Sequence, residues 1–210
     1  MSIPSGTRFI GILPGVNMAE KKSTQANSPT EVYNISDFDS RYIGKFYIQT
    51  SSSIPVSNTT NELSLINSGI GTLTVPANGF SIGDSFKAHL TGHISSANNQ
   101  GLHIRIKSGS VVLADANLTI PTTTTKHWTL DITFTIRAIG AAGTASIASG
   151  GLFTYNKDAS NAFDGMNFSI ENNTTFDTTV SNTLNITAQW SAANASNTIY
   201  SEVFILNKIV

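Results

Sequence analysis

The sequence predicts an all-β protein: an antiparallel β-sandwich or jelly roll, preceded by an extended N-terminal arm. Three observations carry that expectation. From Gly44 onward, short runs alternate apolar and polar residues, which is the period of a strand with one buried face. Turn formers interrupt these runs about every dozen residues, the spacing of sandwiches rather than of parallel sheets. Ser, Thr and Asn make up about a third of the 210 residues, while Glu, Lys, Arg and Gln are scarce. Thr favours strands, Ser and Asn favour turns, and the scarce residues are the helix formers.

Residues 1–43 do not alternate and read as a docking arm. Pro4, Gly6, Gly11, Pro14 and Gly15 keep the segment out of a regular ladder. Phe9, Ile10, Ile12, Leu13 and Val16 are its apolar anchors, and Arg8, Lys21 and Lys22 are cations for an acidic partner. Such a segment orders on docking and adds extended-chain contacts. The alternative is an ordinary first strand and loop packed on its own domain. One turn of helix is expected near Ser36, with Ser36 as cap and Asp37 and Asp39 in the first turn. Gly11, Pro14 and Gly15 break the apolar stretch too early for a signal peptide, so none is expected.

Residues 44–210 hold about ten strand candidates. The first is 44–50, followed by short pieces at 63–66 and 71–75. In 85–95, Phe86, Ala88, Leu90 and Ile94 share one face, with Lys87, His89, Thr91 and His93 on the other. In 102–107, Leu102, Ile104 and Ile106 point inward and His103, Arg105 and Lys107 outward. A strand at 111–118 follows, then a loop through 121–126. The clearest strand is 128–139, with Trp128, Leu130, Ile132, Phe134 and Ile136 inward and Thr129, Asp131, Thr133, Thr135 and Arg137 outward. Strands at 145–155, 166–170, 184–190 and 199 to the end complete the domain.

The last of these is apolar on both faces. Val203, Ile205 and Ile209 lie on one, and Phe204, Leu206 and Val210 on the other. A strand that is apolar all round is covered on both sides. Val203, Phe204, Ile205, Leu206 and Ile209 are therefore expected at a subunit interface of a symmetric oligomer. The alternatives are an arm folded back over the strand, or a central place in the sheet.

Composition excludes several classes. The chain has a net charge of −1 and only 12% charged residues, too little for a nucleic-acid footprint. Zero cysteines remove disulfides and thiolate chemistry. Apolar runs fall far short of a membrane span. Several Asn-x-Ser/Thr triplets are the chance product of a chain rich in those residues.

Candidates for chemistry are few. His89 and His93 share a face, but four residues of extended chain hold them roughly 13 Å apart, too far for one metal, so no metal or cofactor is expected. His103, Arg105 and Lys107 read as a solvated outer face, with a mildly basic patch as the alternative. Asn156, Asp158 and Asp164 lack the ligand spacing of a calcium loop. No phosphate loop, nucleophile elbow or dinucleotide fingerprint occurs, and no carboxylate pair stands out. The chain reads as non-enzymatic.

The segments LTVPANGFSIGDSFKAHLTGHIS, GLHIRIKSGSVVLAD and WTLDITFTIRAIGAAGTASIASGGLFTY resemble a pattern in virion proteins of tailed bacteriophages and other large viruses. Those proteins have a jelly roll similar to tumour-necrosis-factor and C1q head domains, and they are usually trimers. Pro76, Gly79, Gly83, Gly92, Arg105, Gly109, Asp115, Trp128, Arg137 and Gly143 carry the likeness, over roughly Ile70 to Tyr155. The opening GTRFIGILPGVNMAEKKSTQANSPTEVYNISDF resembles N-terminal segments shared by structural proteins of phages of Bacteroidetes hosts. The resemblance implies a virion structural protein: a homotrimeric head fibre or capsid decoration protein whose arm docks on capsid or other virion proteins. The alternative is a tail-fibre module recognising a host surface glycan, with Tyr155, Trp190, Tyr200 and the loop from Asn172 to Asn182 as candidate contacts, although Trp190 continues the face of Leu184, Ile186 and Ala188 and so reads as core.

Overall fold

Along 128–136 every second residue is apolar, and Trp128, Leu130, Ile132, Phe134 and Ile136 are all buried. Each contributes about 1.5–3 kcal/mol by leaving water. The same alternation organises the whole body in the computed structural model, which describes residues 44–158 and 162–209. They fall within the compact unit Ile43–Val210.

Among the described residues there are strands and no helix. The strands are β1 (Gly44–Gln49), β2 (Val56–Ser57), β3 (Leu63–Ser64), β4 (Gly69–Gly71), β5 (Thr74–Val75), β6 (Ser85–Ser96), β7 (Gln100–Ser108), β8 (Val111–Ile120), β9 (Thr123–Ala138), β10 (Ser146–Asn156), β11 (Phe163–Asn172), β12 (Asn182–Trp190) and β13 (Thr198–Lys208). They form two antiparallel sheets. The large one runs β11-β10-β9-β6-β13-β1-β4, with β2 on β13; the small one runs β3-β12-β7-β8, with β5 on β12. The chain is therefore a β-sandwich, and the core lies between the inner faces of its sheets.

From β6 onward the chain crosses between the sheets repeatedly. β6 belongs to the large sheet, β7 and β8 to the small one, β9 to β11 to the large, β12 to the small and β13 to the large again. Trp128 and Trp190 are both buried and fix opposite walls. Trp190 Nε1 donates to Val56 O at 3.0 Å. Trp128 Nε1 donates to both His93 O and Tyr200 O, each at 3.1 Å, so a β9 side chain ties β6 to β13.

One expectation needs correction. The stretch read as a loop at 121–126 is mostly strand: β9 begins at Thr123, and Thr123 and Lys126 pair with Ser96 and Ile94 of β6. The polar run hid this because the pairing there is irregular. Thr125 takes a positive φ of 47°, and its N–H is held by Ser95 Oγ at 2.9 Å. The strand β13 is central, between β6 and β1, and its inward residues Phe204 and Leu206 belong to the chain's own core.

A bulge decides which β13 residues face inward. Before it Ile199 and Ser201 are buried; after it Phe204 and Leu206 are, and the register shifts between Ser201 and Val203. One extra residue reverses the parity of everything that follows.

Candidate functional site

The outer face of the large sheet carries a row of paired residues across its strands. Ile70 of β4 pairs with Ile48 of β1, Ile48 with Ile205 of β13, and Ile205 with His89 of β6. His89 pairs with Asp131 of β9, and Asp131 with Leu152 of β10. Ile70 is 61% exposed and Val203, two residues along from Ile205, is 40% exposed. The edge strand β4 reaches this position because Gly69 and Gly71 flank Ile70. A Cβ on either would strike the β1 backbone, at 2.3 Å from Ile48 O or 2.2 Å from Phe46 O.

The predicted interface residues therefore separate. Val203, Ile205 and Ile209 lie on the outer face, with Ile209 still 37% exposed. Phe204 and Leu206 do not: both are buried against the chain's own core, and Phe204 packs on Tyr47 with ring centroids 5.7 Å apart. Their assignment to a subunit interface is corrected, because their faces are already filled from within. Val210 and the arm residues Arg8, Phe9, Ile10, Ile12, Leu13, Pro14, Val16, Lys21 and Lys22 lie outside the described residues, as does the turn expected near Ser36.

Higher on the same face a second group converges. His93 of β6 pairs directly with His127 of β9, and their rings lie 5.0 Å apart at 62°. The β13 bulge places Glu202 beside them, with Oε2 at 3.1 Å from His93 Nδ1. Reading along the strands missed this group, since its members come from three strands that are distant in sequence. The paired register of β6 and β9 was the signal that could have found His127; nothing local marks the bulge that delivers Glu202.

The outer face of the small sheet is an ionic network. Arg105 Nε donates to Asp115 Oδ2 at 3.0 Å, and its Nη1 donates to Gln189 Oε1 at 2.7 Å and Glu62 Oε2 at 3.3 Å. Glu62 also accepts from Lys107 at 2.9 Å and from Thr187 Oγ1 at 2.6 Å. His103 lies 3.1 Å from Asp115. The three basic residues are thus neutralised by carboxylates, and the alternative of a basic patch falls away. Burial works against the charged form of Glu62, but the bonds from Thr187 and Lys107 and the charges of Lys107 and Arg105 outweigh it, so the carboxyl is held below its ordinary range.

The aromatic candidates for a glycan fare differently from one another. Trp190 is core. Tyr155 is core as well; burial, reinforced by the nearby Asp164 carboxylate, pushes its phenol up to about 12. Tyr200 alone stays half-buried on the outer face, tilted against His93 at 5.9 Å. In the loop between Asn172 and Asn182 the amides of these two residues bond within the chain. Asn172 Oδ1 accepts from the backbone N–H of Thr175 and Phe176, and Asn182 Nδ2 donates to Asp177 O and Val180 O. In the β10–β11 hairpin, Asp164 is held by Lys157 at 2.6 Å and Asp158 by Lys126 at 3.4 Å.

One apolar cleft opens between the sheets near Phe46, Phe80, Phe86 and Phe176, with a volume of about 40 Å³. That is room for a water molecule or so, far below the several hundred Å³ of a typical ligand site. No helix among the described residues is long and apolar enough to cross a membrane.

Compared with known proteins, the chain matches no family model and no curated relative.

Proposed function

We propose that this chain is a non-enzymatic virion structural protein, a homotrimeric head fibre or capsid decoration subunit, attached to the particle through residues 1–43. The observation that carries the reading is the aliphatic row Ile70–Ile48–Ile205, with Val203 beside it, on a sheet face that a lone sandwich keeps polar. A second copy of the chain is the partner that such a row fits, because symmetric self-association is the usual way to cover one. The strand order supports the jelly-roll form of the reading: β4-β1-β13-β6-β9 opposes β3-β12-β7-β8, and β10 and β11 extend the large sheet as an added hairpin.

The glycan-binding alternative keeps less. Two of its three aromatic candidates are spent in the core, and the amides of Asn172 and Asn182 in its loop are bonded within the chain.

Mass spectrometry of purified particles, with and without a chain lacking residues 1–43, tests the reading. The full chain is expected in particles as a fixed, stoichiometric component, and the shortened chain is expected to be missing from them. A full chain that never co-purifies with particles ends the virion assignment. A shortened chain that still joins them ends the docking role of the arm.

A further inference from the structure

We propose that His93, His127 and Glu202 form a site for one divalent transition-metal ion of the zinc type. One ligand atom from each lies within 4.8 Å of the others. A tetrahedral centre with bonds near 2.0–2.1 Å needs them roughly 3.4 Å apart, so the group closes by about an ångström. His127 and Glu202 are exposed and free to make that adjustment by side-chain rotation.

A second observation points to a ligand at this place. Nδ1 of His93 is sealed from solvent and has no hydrogen-bond partner, although Glu202 Oε2 is only 3.1 Å away. Distance is satisfied and alignment is not. A buried ring nitrogen without a partner is costly. A metal ion resolves the conflict, because its ligands meet at a tetrahedral angle rather than in line with one another. The two rings already stand at 62°, so each can aim a nitrogen at a common point.

The donors sit on a rigid frame, as a preorganised site requires. β9, β6 and β13 are adjacent strands inside the large sheet. The buried Trp128 indole holds the carbonyls of His93 and Tyr200 together. Gly92 allows the close approach of β6 to β13, since a Cβ there would lie 2.0 Å from Tyr200 O. The Tyr200 ring flanks His93.

The donor set chooses the ion. Two imidazoles and one carboxylate suit zinc and its neighbours in the transition series, whereas calcium and magnesium take oxygen ligands. Three protein ligands leave a fourth position to water. Bound there, the ion pins three strands together across the sheet and stabilises the fold by mass action. The other two histidines are not rivals: His89 is paired with Asp131 at 2.9 Å and His103 with Asp115 at 3.1 Å.

The test is calorimetric titration of zinc chloride into the full, tag-free chain after chelator treatment, with magnesium and calcium chloride as comparisons. One zinc ion per chain is expected, with no matching uptake of magnesium or calcium. Binding is expected to weaken by at least roughly tenfold in His127→Ala and in Glu202→Gln, and to be unchanged in His103→Ala. Zinc should raise the melting temperature of the parent and not that of His127→Ala, which removes an exposed side chain. No zinc uptake by the parent overturns the site. So does uptake that both His127→Ala and Glu202→Gln leave intact, or equal uptake of magnesium.

Discussion

Ile205 of β13 stands directly opposite Ile48 of β1, and both point away from the core. Their immediate neighbours Phe204 and Tyr47 point into it and touch each other. Adjacent residues on these two strands thus belong to different problems, one concerning assembly and the other concerning folding.

Replacing Ile48 and Ile205 together by Thr keeps β propensity and removes the aliphatic pair. The doubly substituted chain is expected to fold, at a cost of about 1 kcal/mol for the lost cross-strand contact, and to lose self-association. Sedimentation velocity gives the mass directly. Phe204→Ala is expected to behave in the opposite way, costing about 3–5 kcal/mol of stability by opening a core cavity. A parent chain that sediments as a monomer, or a double variant that keeps the parent's mass, removes the interface from this face.

Trp190 is expected to matter for stability rather than for binding. Trp190→Phe removes the indole N–H that satisfies Val56 O and leaves a buried carbonyl without its partner. The loss of that bond costs about 1–3 kcal/mol, readable as a lower urea midpoint with an unchanged slope. A variant as stable as the parent would show that Val56 O finds another donor.

Glu62 should make stability sensitive to acid. Its carboxyl is held below the ordinary range when folded, despite partial burial. A depressed folded pKa means that the folded state favours the charged form, so the stabilisation is present above the unfolded value. It is lost as pH falls below about 4.3 toward the folded value. Glu62→Gln is expected to be less stable near neutrality by about 1 kcal/mol or less. The gap between parent and variant should close as pH falls into that acid window. A gap that stays constant with pH would mean that charge is not what the network uses.

The sandwich was legible because its signal is local. The alternation in 85–95, 102–107 and 128–139 sorts side chains to two faces by strand geometry alone, and each inward residue named there is buried. Where the signal is not local, reading the chain failed. Glu62 lies in a polar stretch without periodicity, and only pairing of β3, β12 and β7 brings it to Arg105 and Lys107. Tyr155 is aromatic whether it lines a core or a ligand site, whereas Trp190 continues the Leu184, Ile186 and Ala188 face, which points it to the core where it lies.

Composition and periodicity by themselves determined an all-β, antiparallel, sparsely charged body with a last strand apolar on both sides. Tertiary structure decided what that strand does. The core between the sheets covers its inner face, and the bulge at Ser201–Val203 turns Phe204 and Leu206 inward and Val203 and Ile205 outward. The same extra residue sets Glu202 beside His93 and His127. A bulge adds one residue to one strand and is defined only by the partner it is measured against, so no single strand's pattern can contain it.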